Sequence, residues 1–401
     1  MGIILNEQQQ EAHRLGVKWW KSSKQLFQLA GLAGTGKSTI INSLIQTLGL
    51  KPEEVIFCCF TGKAAQLLNM KGMRSKTIHG TFYYMKPTPK LDENNEPIVI
   101  NGRLLTYGKF QKRERISPKI KLVVIDEGGM VGERLAKDIL SFGIKVIVLG
   151  DTHQLPPVLD KPFFFKHPDY CLTQIMRQAE GNPIIYLSQL IINGKKLRYG
   201  KYGNNTYIIK PSEVRDSLYS RADQILCAKN ETRDKINSHV KHDLIGHKKD
   251  EPFIGEKIIC RQNNWNLSIA NDIYLINGLI GYIDDIYLQT YNNNFVEIDF
   301  RPDFIEKEAF PNLKLDLRYY NSNYEKRRNF GRSFFTKFES AYAISVHLSQ
   351  GSEYNQVLYF KENIGGKDYQ SKLDYTAVTR AKEDIIIVVP EPKKYIALGA
   401  W

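Results

Sequence analysis

Leu26-Phe27-Gln28-Leu29-Ala30-Gly31-Leu32-Ala33-Gly34-Thr35-Gly36-Lys37-Ser38-Thr39-Ile40-Ile41 is the stretch on which the reading of this chain turns. A short apolar run enters a glycine-rich turn, and from Ser38 onward Ile40, Ile41 and Leu44 have the spacing of an amphipathic helix. The pattern therefore predicts a strand, a loop and a helix. Gly31, Gly34 and Gly36 let the backbone curl until successive N–H groups face one anion, and the helix N-terminus adds its positive dipole end. In this G-x-x-x-x-G-K-S arrangement Lys37 reaches the β and γ phosphates and the Ser38 hydroxyl is a ligand for Mg²⁺. The loop alone predicts a bound triphosphate, with Gly34, Thr35, Gly36, Lys37, Ser38 and Thr39 around it, and leaves open what the nucleotide does.

Working outward, residues 54–60 form a β-rich run that ends in Thr61-Gly62-Lys63-Ala64-Ala65, and Ser75-Lys76-Thr77-Ile78-His79 repeats the combination of hydroxyl and cation. Such groups at the carboxyl ends of strands lie on the ligand-binding edge of an α/β sheet. His79 taken alone has a structural histidine as its competing reading. Residues 121–125 read as a buried strand ending in Asp126-Glu127, an acidic pair suited to hold Mg²⁺ and to polarise an attacking water. Residues 145–149 read as the next strand, delivering Gly150-Asp151-Thr152-His153-Gln154-Leu155-Pro156-Pro157. Upstream, Asn6 opens a capped helix whose glutamines, Gln9 among them, carry an amide that both donates and accepts, as reading an adenine edge requires.

Between residues 81 and 119 the α/β rhythm lapses. Asn101-Gly102 lies between two β-prone runs and predicts an inserted hairpin over residues 97–107, against an irregular surface loop as the alternative. Arg177 follows a strand-like run. Residues 255–337 carry short strands at 257–260, 274–276, 281–286 and 296–300 with Asn and Gly turns, the signature of a small barrel. The barrel's basic and aromatic end, from Arg318 to Phe338, fits either a nucleic-acid face or a solvated charged face. Helix and strand rhythm returns with Ser345-Val346-His347-Leu348-Ser349-Gln350-Gly351-Ser352-Glu353 and with Ala377-Val378-Thr379-Arg380-Ala381-Lys382.

Composition bounds the class. The 401 residues are 42% hydrophobic, ample for a buried core, and 56 Lys and Arg against 43 Asp and Glu give a net charge of +13. That surplus, with 11% aromatics, suits single-stranded nucleic acid, where phosphates meet cations and bases stack on rings. Five cysteines without C-x-x-C spacing support neither a disulfide framework nor a zinc site, and Cys58 and Cys59 read as buried thiols. No apolar run approaches the ~20 residues of a bilayer span, and the N-terminus lacks a signal-peptide core. An intracellular, soluble chain is the expectation.

The ordered set of motifs resembles the superfamily 1B DNA helicases, specifically the RecD-like group, and in size and layout it is similar to a compact phage member. The resemblance implies an α/β fold of two RecA-like parallel-sheet domains, one over residues 1–80 and 118–170, the other over 171–249 and 338–401. It also implies an inserted pin hairpin over 81–117 and an inserted SH3-like β-barrel over 250–337. It implies an ATP- and Mg²⁺-dependent monomer that translocates 5′ to 3′ on single-stranded DNA and unwinds forked duplexes, in replication, recombination or repair and beside proteins of those processes. Carried over by residue, Gln9 reads adenine, Lys37 and Ser38 bind phosphate and metal, Asp126 and Glu127 serve metal and water, and Gln154 couples the γ-phosphate to DNA. Arg177 and Arg380 resemble arginine fingers, Glu353 matches a ribose-side position, and Thr61, Lys63, Thr77, His79, Ser345 and His347 match DNA-facing positions.

Two departures stand out. Gly128-Gly129-Met130 follows the acidic pair where a small residue and serine are usual, and Leu348 replaces a lysine. Two other readings compete. A small-molecule kinase has no use for the Gly150–Pro157 motif or a second arginine-bearing domain, whereas a nucleotide-gated strand binder or translocase that never unwinds shares every motif.

Overall fold

The structure is a computed structural model that describes residues 5–89, 95–100, 103–104, 106–157, 161–174, 181–269, 273–287, 294–331, 333 and 335–391. The chain divides into two compact units, Met1–Thr152 with Pro156–Met176, and His153–Leu155 with Arg177–Trp401.

In the first unit, α1 (Glu7–Trp20) begins at a capping box: Asn6 Oδ1 accepts the Gln9 N–H at 2.9 Å and Gln9 Oε1 accepts the Asn6 N–H at 3.1 Å. Strands β1 (Leu26–Gly31), β2 (Val55–Cys59) and β3 (Ser75–Thr77) follow, with α2 (Lys37–Thr47), α3 (Gly62–Met70) and α4 (Ile78–Phe82) between and after them. A paired excursion comes next, β4 (Tyr83–Pro89), β5 (Val99–Ile100), β6 (Arg103–Leu104) and β7 (Thr106–Lys112). Then β8 (Leu122–Ile125), α5 (Glu133–Leu140), β9 (Lys145–Gly150) and β10 (Tyr170–Leu172) complete the unit. The sheet runs β10-β1-β9-β8-β2-β3, parallel throughout.

Both faces of this sheet are covered, which is why β8 is buried at every position. Side chains alternate across it. Leu122 and Val124 join Ile40, Ile41 and Leu44 of α2 in one core, while Val123 and Ile125 join Ala136 and Ile139 of α5 in the other. Each of these Val, Leu and Ile side chains contributes about 1.5–3 kcal/mol on burial.

The excursion runs beyond the 97–107 span that the Asn-Gly turn predicts. Inside the expected 97–107 span, β5 pairs with β6 through Ile100↔Arg103, and the Asn101-Gly102 turn itself lies outside the described residues. The longer arms are β4 and β7, paired over seven positions from Tyr83↔Lys112 to Pro89↔Thr106.

The second unit opens with α6 (Pro183–Ile192), β11 (Gly200–Lys201), β12 (Tyr207–Ile209), α7 (Asp216–Arg221), β13 (Gln224–Cys227) and α8 (Asn230–Ser238), which continues into a π-helical turn, His239–Leu244. An antiparallel region follows: β14 (Lys257–Cys260), β15 (Asn264–Ile269), β16 (Ile273–Leu275), β17 (Ile280–Tyr287), β18 (Phe295–Pro302), β19 (Phe310–Asp316), α9 (Leu317–Tyr320), α10 (Tyr324–Arg328) and β20 (Phe338–Ser340). The chain then returns through β21 (Ala343–Ser345), β22 (Tyr354–Phe360), α11 (Lys367–Val378) and β23 (Ala381–Val388).

The second unit's main sheet, β11-β12-β23-β22-β13-β21, is parallel except at the β11–β12 edge. The inserted sheet, β19-β18-β17-β14-β20, is antiparallel, and a bridge between Leu315 and Thr336 joins β19 to the segment that leads into β20. Its interior holds Ile258, Ile283, Ile298, Phe300, Phe310, Leu315 and Phe338.

One boundary is corrected. A division at residues 170/171 cuts through β10, whose Cys171 and Leu172 pair with Ala30 and Gly31 of β1, so this segment belongs to the first unit. The Gly150–Pro157 motif is also divided, because residues 153–155 belong with the second unit.

Candidate nucleotide and nucleic-acid sites

The phosphate loop leaves β1 at Gly31 and closes on α2. Gly34 and Gly36 have φ of 76° and 78°, left-handed values that a side chain would oppose, and Gly36 is the residue from which α2 starts. Thr35 is fully buried, with its hydroxyl donating to Leu32 O at 2.8 Å. Lys37 Nζ donates to Gly31 O at 2.7 Å and Leu32 O at 3.0 Å, so the ammonium lies folded over the loop's own carbonyls. Ser38 is exposed in the first turn of α2 and Thr39 is half-buried beside it.

Gln9 is fully buried. Its Nε2 donates to Thr35 O at 3.1 Å, so the amide braces the loop from behind. Gln8, which sequence reasoning passed over, ties α1 to the exit of β10: its Oε1 accepts the N–H groups of Thr173 and Gln174 at 3.0 and 2.8 Å.

Asp126 and Glu127 leave β8 on the same carboxyl edge. Only β9 separates β8 from β1, so the acids and the loop start about 10 Å apart across the sheet. Glu127 takes φ 54° and ψ 41°, a left-handed conformation uncommon for a residue with a side chain, and its N–H donates to Asp126 Oδ1 at 2.9 Å. Burial first, and then Asp126, pushes the Cys59 thiol up; burial and Asp151 raise Cys171, which Lys37 opposes. The loop, Asp151 and the acidic pair are thus electrostatic neighbours of two cysteines on one edge.

That edge continues to β2 and β3. The Thr61 hydroxyl caps α3 by accepting the Ala64 N–H at 3.3 Å, and the Thr77 hydroxyl caps α4 by accepting the Gly80 N–H at 2.9 Å. Lys63 is buried in the first turn of α3. His79 is half-buried, and burial lowers its pKa.

In the second unit the candidates fall in two places. Ser345 closes β21 at the carboxyl edge and its Oγ accepts the Leu348 N–H at 3.4 Å; His347 Nε2 lies 2.9 Å from the Tyr369 hydroxyl, and burial lowers its pKa. Glu353 and Arg380 instead immediately precede β22 and β23, at the opposite edge of the sheet. Arg380 is 4% exposed; its Nε donates to Thr376 O at 3.1 Å and its Nη1 to Ser352 O at 3.0 Å, while Glu353 is exposed and pairs with Lys382 at 3.6 Å. The Thr376 hydroxyl accepts the Leu155 N–H at 3.0 Å, and Gln350 Nε2 donates to Leu155 O at 3.1 Å. Gln154, Glu353 and Arg380 are therefore gathered around the end of α11. Arg177 lies outside the described residues.

The AAA domain family matches residues 4–210, and the UvrD-like helicase C-terminal domain matches residues 340–388. The ATP-dependent RecD2 DNA helicase of Deinococcus radiodurans is 27% identical over 389 residues, covering 90% of this chain and 46% of the relative. The ATP-dependent DNA helicase dda of Enterobacteria phage T4 is 24% identical over 96% of this chain and 99% of its own length. Among solved structures, a Pif1 helicase studied in DNA unwinding at forked duplexes superimposes with a TM-score of 0.55 at 21% identity, covering 97% of this chain and 95% of the other, a likeness of fold.

The chain belongs to the AAA-domain family, in the RecD/Pif1/Dda type of superfamily 1B helicases.

This superfamily 1B chain spans less than half the length of RecD2 and of a Methanocaldococcus jannaschii relative, 46% and 37%. Of the two glycines after the acidic pair, packing fixes the first and leaves room at the second, where the family usually has serine. A Cβ on Gly128 would lie 2.1 Å from Val148 Cγ1, so packing excludes any side chain there, whereas one on Gly129 would meet only Asp151 O, at 3.6 Å. Thr376, Gln350 and Leu155 were missed because nothing in their spacing announces that a segment following β9 is hydrogen-bonded to α11.

Among the described residues, no helix is long and apolar enough to cross a membrane. The basic and aromatic stretch near Arg318 is engaged locally: Arg318 pairs with Asp316 at 3.0 Å, Arg327 with Asp234 at 3.3 Å, and Lys337 donates to Gly331 O at 2.7 Å.

Proposed function

We propose that this protein is an ATP-driven DNA helicase that translocates 5′ to 3′ on single-stranded DNA and separates forked duplexes. The observation that carries the reading is the grouping of functional side chains. One unit presents the phosphate loop, Asp126 and Glu127 on a single sheet edge, and the other gathers Gln154, Glu353 and Arg380 around Thr376. The Dda and RecD2 relatives, both named as ATP-dependent DNA helicases, support it.

In this reading Lys37 leaves the Gly31 and Leu32 carbonyls to meet the β and γ phosphates, and Gln9 reads the adenine with the amide that braces Thr35. Hard oxygen donors suit Mg²⁺, and Ser38, exposed at the start of α2, and Asp126 would hold it; the ion neutralises phosphate charge. Glu127 orients and deprotonates the attacking water. Arg177 and Arg380 balance the charge of the transferring phosphoryl group, Gln154 senses the γ-phosphate, and Glu353 meets the ribose. Thr61, Lys63, Thr77 and His79 grip the strand from the first unit, and Ser345 and His347 grip it from the second. The β4–β7 hairpin acts as the strand-separating pin, and the inserted antiparallel sheet is an SH3-like domain.

Hydrolysis measured with and without single-stranded DNA tests this. The wild type is expected to be stimulated by DNA, and Arg380→Ala to lose about 10³- to 10⁵-fold in that stimulated rate, the usual worth of an arginine finger. Nucleotide affinity stays within a few fold, which also reports that the variant is folded. Near-normal turnover in Arg380→Ala would remove the assignment, and a wild type indifferent to DNA would remove the function.

A further inference from the structure

The outer strand β11 of the second unit's sheet lies in a stretch whose chemistry neither the nucleotide site nor the strand grips use. Between Glu180 and Glu213 the chain contains Lys195, Lys196, Arg198, Lys201 and Lys210 and no acid. The first four of these cations are exposed, and none of the four has an ion-pair partner among the described residues. In the same stretch stand Tyr186, 53% exposed, and Tyr199, 40% exposed, the two most exposed Phe or Tyr rings among the described residues.

The rings are held on a rigid support. Ile184, Leu187 and Ile191 of α6 are buried, which turns Tyr186 outward, with its ring 6.1 Å from that of Tyr202. The Tyr202 hydroxyl donates to Arg198 O at 2.8 Å, and the Tyr199 hydroxyl to Val389 O at 3.3 Å. A Cβ on Gly203 would lie 2.7 Å from Pro183 Cγ, so the turn after β11 is pressed onto the start of α6.

Acids do reach this edge, and each is engaged or offset. Glu391 pairs with Lys210 at 3.1 Å and Glu213 accepts the Lys210 N–H at 2.7 Å, which takes Lys210 out of the surplus. Asp384 and Asn205 line one hollow, and Asp368 in the first turn of α11 has Lys367 and Lys372 on the same helix. Exposed rings on a fixed backbone among surplus cations are the arrangement in which bases stack while phosphates meet charge. The sheet order puts β11 and β21 at opposite edges, about 24 Å apart at the usual strand spacing, so this face is separate from Ser345 at the end of β21.

We propose that Tyr186, Tyr199 and Tyr202, with the exposed cations from Lys195 to Lys201, form a second site for single-stranded nucleic acid on the outer edge of the second unit. This goes beyond the proposed function, which needs one strand track, and it stands on the charge and rings of this edge alone.

Photo-crosslinking of a long thiothymidine-containing oligothymidylate, with the crosslinked peptides mapped, tests the site together with equilibrium binding across a salt series. The wild type is expected to crosslink within residues 186–202. The triple variant Lys195→Gln, Lys196→Gln, Arg198→Gln loses those crosslinks, and its slope of log affinity against log salt falls by about 2, the worth of three phosphate contacts on a single strand. Tyr186→Ala weakens binding by about 5- to 150-fold, the size of one base–aromatic stack, at the wild-type slope. Both variants keep the wild type's stimulation of hydrolysis by DNA, which also reports that they are folded. No crosslink within 186–202, or an unchanged slope in the triple variant, would overturn the site. Lost stimulation in the triple variant would put these residues in the track and overturn a separate site, and displacement of the strand from this edge by polyglutamate as readily as by oligothymidylate would mark a face for acidic protein instead. A wild type whose hydrolysis ignores DNA overturns the proposed function alone, because the crosslinks and the salt slope decide the second site in either case.

Discussion

At the scale of single residues, the acidic pair shows how packing and chemistry share a few positions. Glu127 is held in a left-handed conformation, and the next residue must be glycine because Val148 and the Leu149 carbonyl occupy the space of its Cβ. Gly128→Ala is therefore expected to cost about 1–3 kcal/mol through overpacking, read as a lowered midpoint in chemical denaturation. Gly129→Ser, which supplies the residue usual in the family, is expected to stay within about 0.5 kcal/mol. Equal stability of both variants with the wild type would show that the Gly128 contact relaxes freely. The phosphate loop was legible because its glycines, lysine and serine are adjacent in the chain. The capping roles of Thr61 and Thr77 were not, since a threonine before a helix looks the same whether its hydroxyl faces a ligand or the helix's own N–H groups.

At the scale of elements, buried charge fastens the inserted sheet to α8. Glu339 on β20 is 3% exposed and lies 3.1 Å from Arg233 of α8, 3.2 Å from Arg261 and 2.8 Å from the Tyr319 hydroxyl. A second contact joins Lys241 of the π-helical turn to the Tyr320 hydroxyl at 2.8 Å and to Glu256 at 3.5 Å. Burial raises the Glu339 pKa, but Arg261, Arg233 and Arg327 outweigh it and hold the carboxyl below its ordinary value. A depressed acid stabilises the fold above its unfolded pKa, about 4.5, and this contribution is lost as pH falls from there through the folded value. Glu339→Gln is expected to destabilise by about 3–5 kcal/mol at neutral pH, leaving arginines buried without their counter-charge. Its stability should also fall less steeply than the wild type's below pH 4.5. Parallel pH profiles for the two proteins would contradict the assignment.

Most inserted strands could be read from their β-branched runs between Asn and Gly turns, as at Lys257–Cys260 and Phe295–Pro302. Others could not, and at two of them proline is the reason. Strand β19 contains Pro311 beside Asn312, which has φ 52°, where the pairing register shifts; β4 contains Pro87 and Pro89. A two-stranded ribbon and an irregular edge tolerate a missing N–H that a central strand does not.

At the scale of the whole molecule, the sequence carried the order of motifs better than the limits of the units. Strand β10 is three residues long and gains its place by pairing with β1, so the first unit extends past the 170/171 boundary that the resemblance implied. The Gly150–Pro157 motif belongs to two units because Leu155 is held by Thr376 and Gln350, partners about two hundred residues away in the chain. Contacts at such separation leave no local signal. They also bear on the central claim, that nucleotide chemistry at the first unit's sheet edge drives directional movement on DNA. Strand displacement from forked duplexes carrying either a 5′ or a 3′ single-stranded tail tests that claim most directly, run with ATP and with a non-hydrolysable analogue. The result expected is displacement from the 5′-tailed fork with ATP and none with the analogue; displacement from the 3′-tailed fork alone, or from neither, would contradict it.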